Sequence, residues 1–247
     1  MIAEEFAKNF SQVCNRASHG QPNAKSEVYT NKTDKCTSSR NNSNNFDQSA
    51  ISFELIDKCI RGLKFGKASG PDERMAEHLK YAYPIIIYHL RILFKAISVH
   101  SFVPNDFGIG LIVPLVKDKT GDINSVDNYR GITLTPVVAK VFECVLLSNC
   151  EEFLATDNLQ FGFKRSVGCP QAVFTLRSVI DYFISRDSGV CAAALDISKA
   201  FDTVCHTKLF KCLVDAGVLG WIVLVIENWY SILCVAVRWI DAISGFF

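Results

Sequence analysis

Residues Ala192–Val204 read AAALDISKAFDTV. The overlapping run VCAAALDI, Val190–Ile197, is apolar, too short for a helix and preceded by Gly189, which predicts a buried β-strand. That strand ends on Asp196, and a second carboxylate, Asp202, follows six residues later, past the apolar pair Ala200–Phe201. A strand end holds an acid rigidly. Mg2+ takes one or two carboxylates together with substrate phosphates and waters. Two-metal phosphoryl transfer asks for more, two ions about 3.5–4 Å apart with several acids to hold them. The alternative is structural: Asp196 and Asp202 cap the helix that follows. D-x5-D is common by chance, so spacing alone favours the cap.

Outward from this stretch, helical patterns dominate. Residues 1–15, MIAEEFAKNFSQVCN, carry Ile2, Phe6, Phe10 and Val13 at helical spacing. Residues 16–50 are rich in Ser, Asn, Thr and Lys and poor in apolar side chains, so they bury too little surface to offset the entropy of ordering; a disordered linker is expected. Ser52 is placed to cap a helix that presents Leu55, Ile56, Cys59, Ile60 and Leu63 on one face. After the breakers Gly66, Gly70 and Pro71, a long helical pattern covers 73–100, kinked or split at Pro84. IGLIVPLV, Ile109–Val116, reads as a strand and 117–128 as a polar loop. Further helices are expected over 136–153, 170–185 and 208–216, the last stopping at Gly217. The pattern is that of a helix-dominated α+β domain with a small sheet, divided as an N-terminal helix (1–15), a linker (16–50) and one domain (51–247).

Composition narrows the classes. The 247 residues are 49% hydrophobic and 21% charged, enough for a sizeable core. The net charge of +1 is a weak footprint for a nucleic-acid binder, so any such role rests on local sites. Ten cysteines form no C-x-x-C pair, which argues against zinc. The chain is neither short nor led by a signal peptide, so reduced thiols in an intracellular protein (cytoplasm or nucleus) are expected rather than a disulfide scaffold. The most membrane-like stretch, Val218–Val237, is broken by Glu227 and Asn228 and reads as a helix followed by a strand; no membrane partner is expected.

DISKAFDTV resembles the reverse-transcriptase pattern D-x-x-K-A-F-D-x-V, and three other stretches match that family in the same order. LKFGKASGPD resembles the entry loop of the fingers. VPLVKDKTGDINSVDNYRGITLTPVVAKVFE, Val113–Glu143, resembles the finger strand, loop and helix. QFGFKRSVGCPQAVFTL, Gln160–Leu176, resembles the next palm-side segment. The wording NYRGITL and QFGF is similar to non-LTR, LINE-type retrotransposons of the RTE and jockey kind. The resemblance spans about Ser52 to Trp229 and implies part of the fingers and palm of a right-hand polymerase with an incomplete sheet.

The resemblance also implies site residues. Asp196 matches the catalytic, metal-binding aspartate, and the Ile197 carbonyl completes that ligand set. Phe201 matches the aromatic residue beneath the incoming sugar, where a ring excludes a 2′-OH; a core phenylalanine is the more frequent role for any single Phe. Lys117 and Arg130 match the finger residues that bind the triphosphate, the lysine as a point charge and the arginine through its planar fork, with Lys119 able to share the task. Without the family match all three read as a solvated loop. Gln160, Phe161, Gly162, Lys164 and Arg165 are expected near template or primer backbone, or in a turn before a helix. Asp202 is expected to cap the next helix. The partners implied are Mg2+, deoxynucleotides, an RNA template and a DNA primer; the oligomeric state is open.

The sequence departs from the family pattern. No Asp-Asp pair occurs anywhere in it, nor the P-Q-G segment that precedes that pair in relatives, and GPDG reads GPDER. The expectation is therefore a reverse-transcriptase fragment, inactive alone because the Asp-Asp motif and thumb are missing. Two further readings stay beside it: a non-catalytic retrotransposon remnant with weak nucleic-acid binding, and a helical interaction protein.

Overall fold

The computed structural model describes residues 2–18, 48–154, 156–164, 166–197 and 199–247. The expected linker falls mostly on 19–47, outside the described residues. The elements are α1 (Ile2–Ser18), α2 (Phe53–Gly62), α3 (Ala76–Tyr81), α4 (Ile85–His100), the single turn α5 (Asn105–Gly108), β1 (Ile109–Val116), β2 (Tyr129–Leu134), α6 (Val137–Cys150), α7 (Cys169–Ile184), α8 (His206–Asp215), α9 (Gly220–Ser231), β3 (Cys234–Trp239) and β4 (Ala242–Ile243). They form two units, Met1–Phe153 with Phe201–Phe247, and Leu154–Ala200.

Local rules account for most helix boundaries. Ser52 caps α2, its side chain accepting from Leu55 N at 3.1 Å. Pro84 divides the helical run of 73–100 into α3 and α4. α8 ends where Gly217 takes φ +84°, in the left-handed region open to a residue without Cβ.

The first unit has two apolar clusters. The larger joins α2, α4, α6 and α9 around Phe94 and Phe142, whose ring centroids lie 4.8 Å apart. Trp229 stacks on Phe142 at 5.7 Å and donates its indole N–H to the Phe107 carbonyl at 3.1 Å, so its one polar atom is satisfied inside the core. The Asn228 side chain accepts from Val103 N at 2.7 Å and fastens α9 to the chain before α5. Gly70, in the SGPD loop, meets the chain ahead of α6 so closely that a Cβ would lie 2.6 Å from the Thr135 carbonyl carbon and oxygen.

The sheet is mixed, in the order β2-β1-β3-β4. β1 pairs antiparallel with β2, Leu115 opposite Arg130, and parallel with β3, Ile112 opposite Val237. β2 carries β-branched Ile132 and Thr133 and continues the β1 ladder across the polar loop. Helix α1 lies on one face of this sheet, its Phe6 and Ala7 packed with Ile112 and Val237. No described helix is long and apolar enough to cross a membrane.

The second unit holds α7, whose N-terminus is closed by the Gln171 side chain accepting from Gly168 N at 3.0 Å. Here the sequence expectation fails: Val190–Ile197 forms no strand and is exposed throughout, Leu195 at 98%. A strand exists only where a neighbour completes its backbone hydrogen bonds, and this run is paired in no ladder of the described sheet. Its apolar composition identifies a segment suited to burial without supplying the partner.

Candidate nucleotide-binding hairpin and acidic segment

Lys117 is the first residue beyond β1. Its backbone N donates to the Asn128 carbonyl at 2.8 Å, and its Nζ donates to the Asp127 carbonyl at 2.9 Å. The polar loop 117–128 is fixed from within. The Asn128 side chain accepts from Asp118 N at 3.1 Å and donates to the Asp118 carbonyl at 2.9 Å. The Asp118 carboxylate accepts from the Thr120 hydroxyl at 2.7 Å and the Thr120 N–H at 2.9 Å, and these bonds hold its pKa below the usual carboxylate range. Asp122 turns the chain again by accepting from Asn124 N at 2.8 Å, and the Tyr129 hydroxyl donates to the Ile123 carbonyl at 2.9 Å. A twelve-residue polar connection thus becomes a shaped turn, because short Asx side chains replace the missing ladder bonds.

Arg130 follows on β2, exposed, its backbone in the ladder and its side chain in no hydrogen bond or ion pair among the described residues. The hairpin therefore brings Lys117 and Arg130 together: Arg130 pairs with Leu115, and Lys117 lies two residues further along the same strand direction. Two cations on a rigid two-stranded support, one with a free planar fork, suit a polyphosphate. Lys119 lies exposed in the same loop.

The other candidates lie elsewhere in the chain. Gln160 and Lys164 share a turn organised by Asp157, whose carboxylate accepts from Leu159 N at 2.7 Å and whose carbonyl accepts from Lys164 Nζ at 2.6 Å. Gln160 Nε2 donates to the Gly162 carbonyl at 3.3 Å. Arg165 lies outside the described residues. Asp196 and Ile197 sit in the exposed segment of the second unit, Ile197 at 74% exposure, and Phe201 is 79% exposed in the turn that follows. Asp202 does not cap α8: the N-cap position is Cys205, with no side-chain cap bond, because Asp202 stands too far upstream of the first free N–H groups.

The metal expectation meets a plain test. Among the described residues no group of three or more His, Cys, Asp or Glu side chains is placed to hold an ion. Asp196 with a neighbouring carbonyl is one carboxylate on an exposed segment, short of the set that fixes two divalent ions. The described residues do not fit a complete Mg2+ centre.

Sequence reasoning missed the internal scaffold of the hairpin. Its signal was present in the spacing of Asp118, Asp122 and Asn128 around Gly121, read only as a polar loop.

No protein-family model matches the chain. Among curated proteins, it is 29% identical over 169 residues to the putative 115 kDa protein of the type-1 retrotransposable element R1DM of Drosophila melanogaster, covering 68% of this chain and 16% of that protein. It is 26% identical over 166 residues to the RNA-directed DNA polymerase from mobile element jockey of the same fly, covering 65% of this chain and 18% of that one. A match of 26% over 100 residues reaches the Pol polyprotein of the type-1 retrotransposable element R2 of Popillia japonica, covering 40% of this chain and 14% of that protein. The matched stretches span less than a fifth of these relatives' own lengths. Four ordered motifs and several matches to one kind of element agree: over about two thirds of its length the chain is similar to a segment of the RNA-directed DNA polymerases of non-LTR, LINE-type retrotransposons.

Proposed function

We propose that this chain is a segment of an RNA-directed DNA polymerase of a retrotransposon and that the β1–β2 hairpin is its triphosphate-binding element. The observation that carries this reading is Lys117 and Arg130 on one braced hairpin, with the Arg130 guanidinium unspent. Residues 51–247 then correspond to fingers and an incomplete palm, acting within the cell in cytoplasm or nucleus. Phe201 is the ring that lies under the sugar and excludes ribose, and Asp196 with the Ile197 carbonyl is its share of a Mg2+ site. Gln160, Lys164 and Arg165 run beside an RNA template or DNA primer. In the complete enzyme the primer 3′-OH attacks the α-phosphate and pyrophosphate leaves, the charge on the leaving group being held by Lys117 and Arg130.

The chain contains no Asp-Asp pair, so it is expected to bind a deoxynucleoside triphosphate without extending a primer; members of a unit that acts together cannot be removed singly without losing most of the rate. The test is equilibrium binding of a fluorescent dATP analogue. Arg130→Ala is expected to weaken it about tenfold or more, by loss of a bidentate charge-assisted contact. Binding indifferent to both Arg130→Ala and Lys117→Ala sinks the reading, and primer extension that disappears in Asp196→Ala refutes the expected inactivity.

The near-neutral charge favours a second reading, a non-catalytic remnant with weak nucleic-acid binding. Its mark is RNA binding that falls steeply with salt in the absence of any triphosphate affinity.

A further inference from the structure

We infer that helix α1 is the back plate of the hairpin, and that Phe6, Phe10 and Gly131 are positioning residues for Arg130. This rests on the reading of Lys117 and Arg130 given above. β2 is an edge strand, and apart from its partly covered ends its side chains are exposed, so burial of its own does little to hold it in place. The ladder to β1 is one anchor. The other is α1.

Side chains alternate across a strand. Tyr129 and Gly131 face α1, which leaves Arg130 between them on the opposite face, open to solvent. Phe6 meets Tyr129 edge-on at 4.9 Å and stacks on Trp239 of β3 at 5.1 Å, while Phe10 stacks on Phe6 at 6.0 Å. At Gly131 a Cβ would lie 3.4 Å from Phe10 Cζ, within van der Waals contact, so the Phe10 ring lies directly over the strand there; it would also lie 2.8 Å from Ile112 Cγ2, which would have to shift beneath α1. The residues before and after Arg130 are thus both held by α1.

The helix is built for this seat. Ala3, Phe6, Ala7 and Val13 are buried at helical spacing, and none of them joins the core around Phe94 and Phe142. Glu4 accepts from Gly245 N at 2.9 Å and pins the first turn beyond β4. Helix α1 therefore spans the sheet from its far end to the strand that carries the arginine. A guanidinium on an unbraced edge strand samples many orientations; bracing its two neighbours narrows them before any ligand arrives, which removes part of the ordering cost of binding.

The test compares Phe10→Ala, Phe10→Leu and Gly131→Ala in the full chain, reading two quantities: affinity for the fluorescent dATP analogue, and hydrogen exchange in 129–134 against 137–150. Phe10→Ala and Gly131→Ala are each expected to weaken binding about tenfold, as small displacements of a contacting group do, and to speed exchange in 129–134 while 137–150 stays protected. Phe10→Leu is expected to restore most of both. Faster exchange with unchanged affinity overturns the inference and leaves α1 a purely structural cover. Arg130→Ala separates the levels: if it weakens binding and both α1-side variants do not, the back plate alone is wrong. If the parent chain shows no Arg130-dependent binding, the hairpin reading falls and this inference with it. Should Phe10→Ala also lose protection in 137–150, Gly131→Ala decides, because it leaves every aromatic ring in place.

Discussion

The two units of this chain make opposite use of similar side chains. In the first, Phe94, Phe142, Ile222 and Val225 are wholly buried and Trp229 nearly so. In the second, no described hydrophobic residue is buried: α7 carries Val173, Phe174, Leu176, Val179, Tyr182, Phe183 and Ile184 all exposed, and the Val190–Ile197 run is exposed throughout. Both regions are rich in apolar residues, and the Val190–Ile197 run of the second reads from sequence as a buried strand. The difference is in partners. Four helices of the first unit present complementary faces to one another, whereas α7 has no second helix within 154–200 against which to pack. Apolar sequence is a capacity for burial, and the gain of about 25 cal/mol per Å² comes only when another surface takes up the face.

The largest expected effect lies in local stability. Amides of 190–197 should exchange on the order of a thousandfold faster than those of 141–146, because free segments open at almost no cost and core helices open only with the whole domain. Equal protection in the two would break the comparison. Next comes packing. Phe142→Ala should cost about 3–5 kcal/mol, as large-to-small changes at a filled core site do. Phe174→Ala, on the exposed face of α7, should stay within about 0.5 kcal/mol. Denaturant melts of the two variants read the contrast directly, and comparable losses would mean that α7 is covered in solution.

A smaller effect is expected at Gly70. Gly70→Ala pushes a methyl against backbone at Thr135 and Pro136, which cannot swing aside, and should cost about 1–3 kcal/mol. A melting temperature equal to the parent's would show that the SGPD loop is looser than this. The smallest effect is in thiol chemistry. Burial, and then the neighbouring Cys144, pushes the Cys59 thiol up to about 11 from 9.0. The folded state then keeps its proton where the unfolded chain has lost it, so stability should fall as pH rises from about 9 towards 11, and a Cys59→Ala variant should flatten that decline. Below pH 8, iodoacetamide should modify exposed Cys144, Cys169, Cys191 and Cys212 well before Cys59.

How much was legible follows the range of the forces. The Ser52 cap, the break at Pro84 and the stop at Gly217 are decided within four residues, and sequence reading placed each. The strand over Ile109–Val116 was legible from its β-branched run, and the helix-then-strand reading of Val218–Val237 from its length and polarity. β2 was not placed as a strand, since four of its six residues are exposed and its existence depends on β1 across a loop. Asp202 was expected to cap α8 but lies too far upstream to do so. At the candidate site, the residue identities of Lys117 and Arg130 came from the motif, while the lattice of Asp118, Asp122 and Asn128 that shapes the loop appeared only in three dimensions.

The sequence by itself determined most helices, their caps and breaks, and the resemblance to retrotransposon polymerases from which the candidate residues Asp196, Lys117, Arg130 and Phe201 come, because periodicity, capping and residue identity are local or inherited in linear order. Tertiary structure alone decided which apolar runs are core and which stay exposed, that β2 exists, that Gly70 and Gly131 stand where other chain elements leave no room for a Cβ, and that α1 lies across the sheet behind Arg130. Burial and strand pairing are properties of two surfaces at once, and one stretch of sequence specifies only its own.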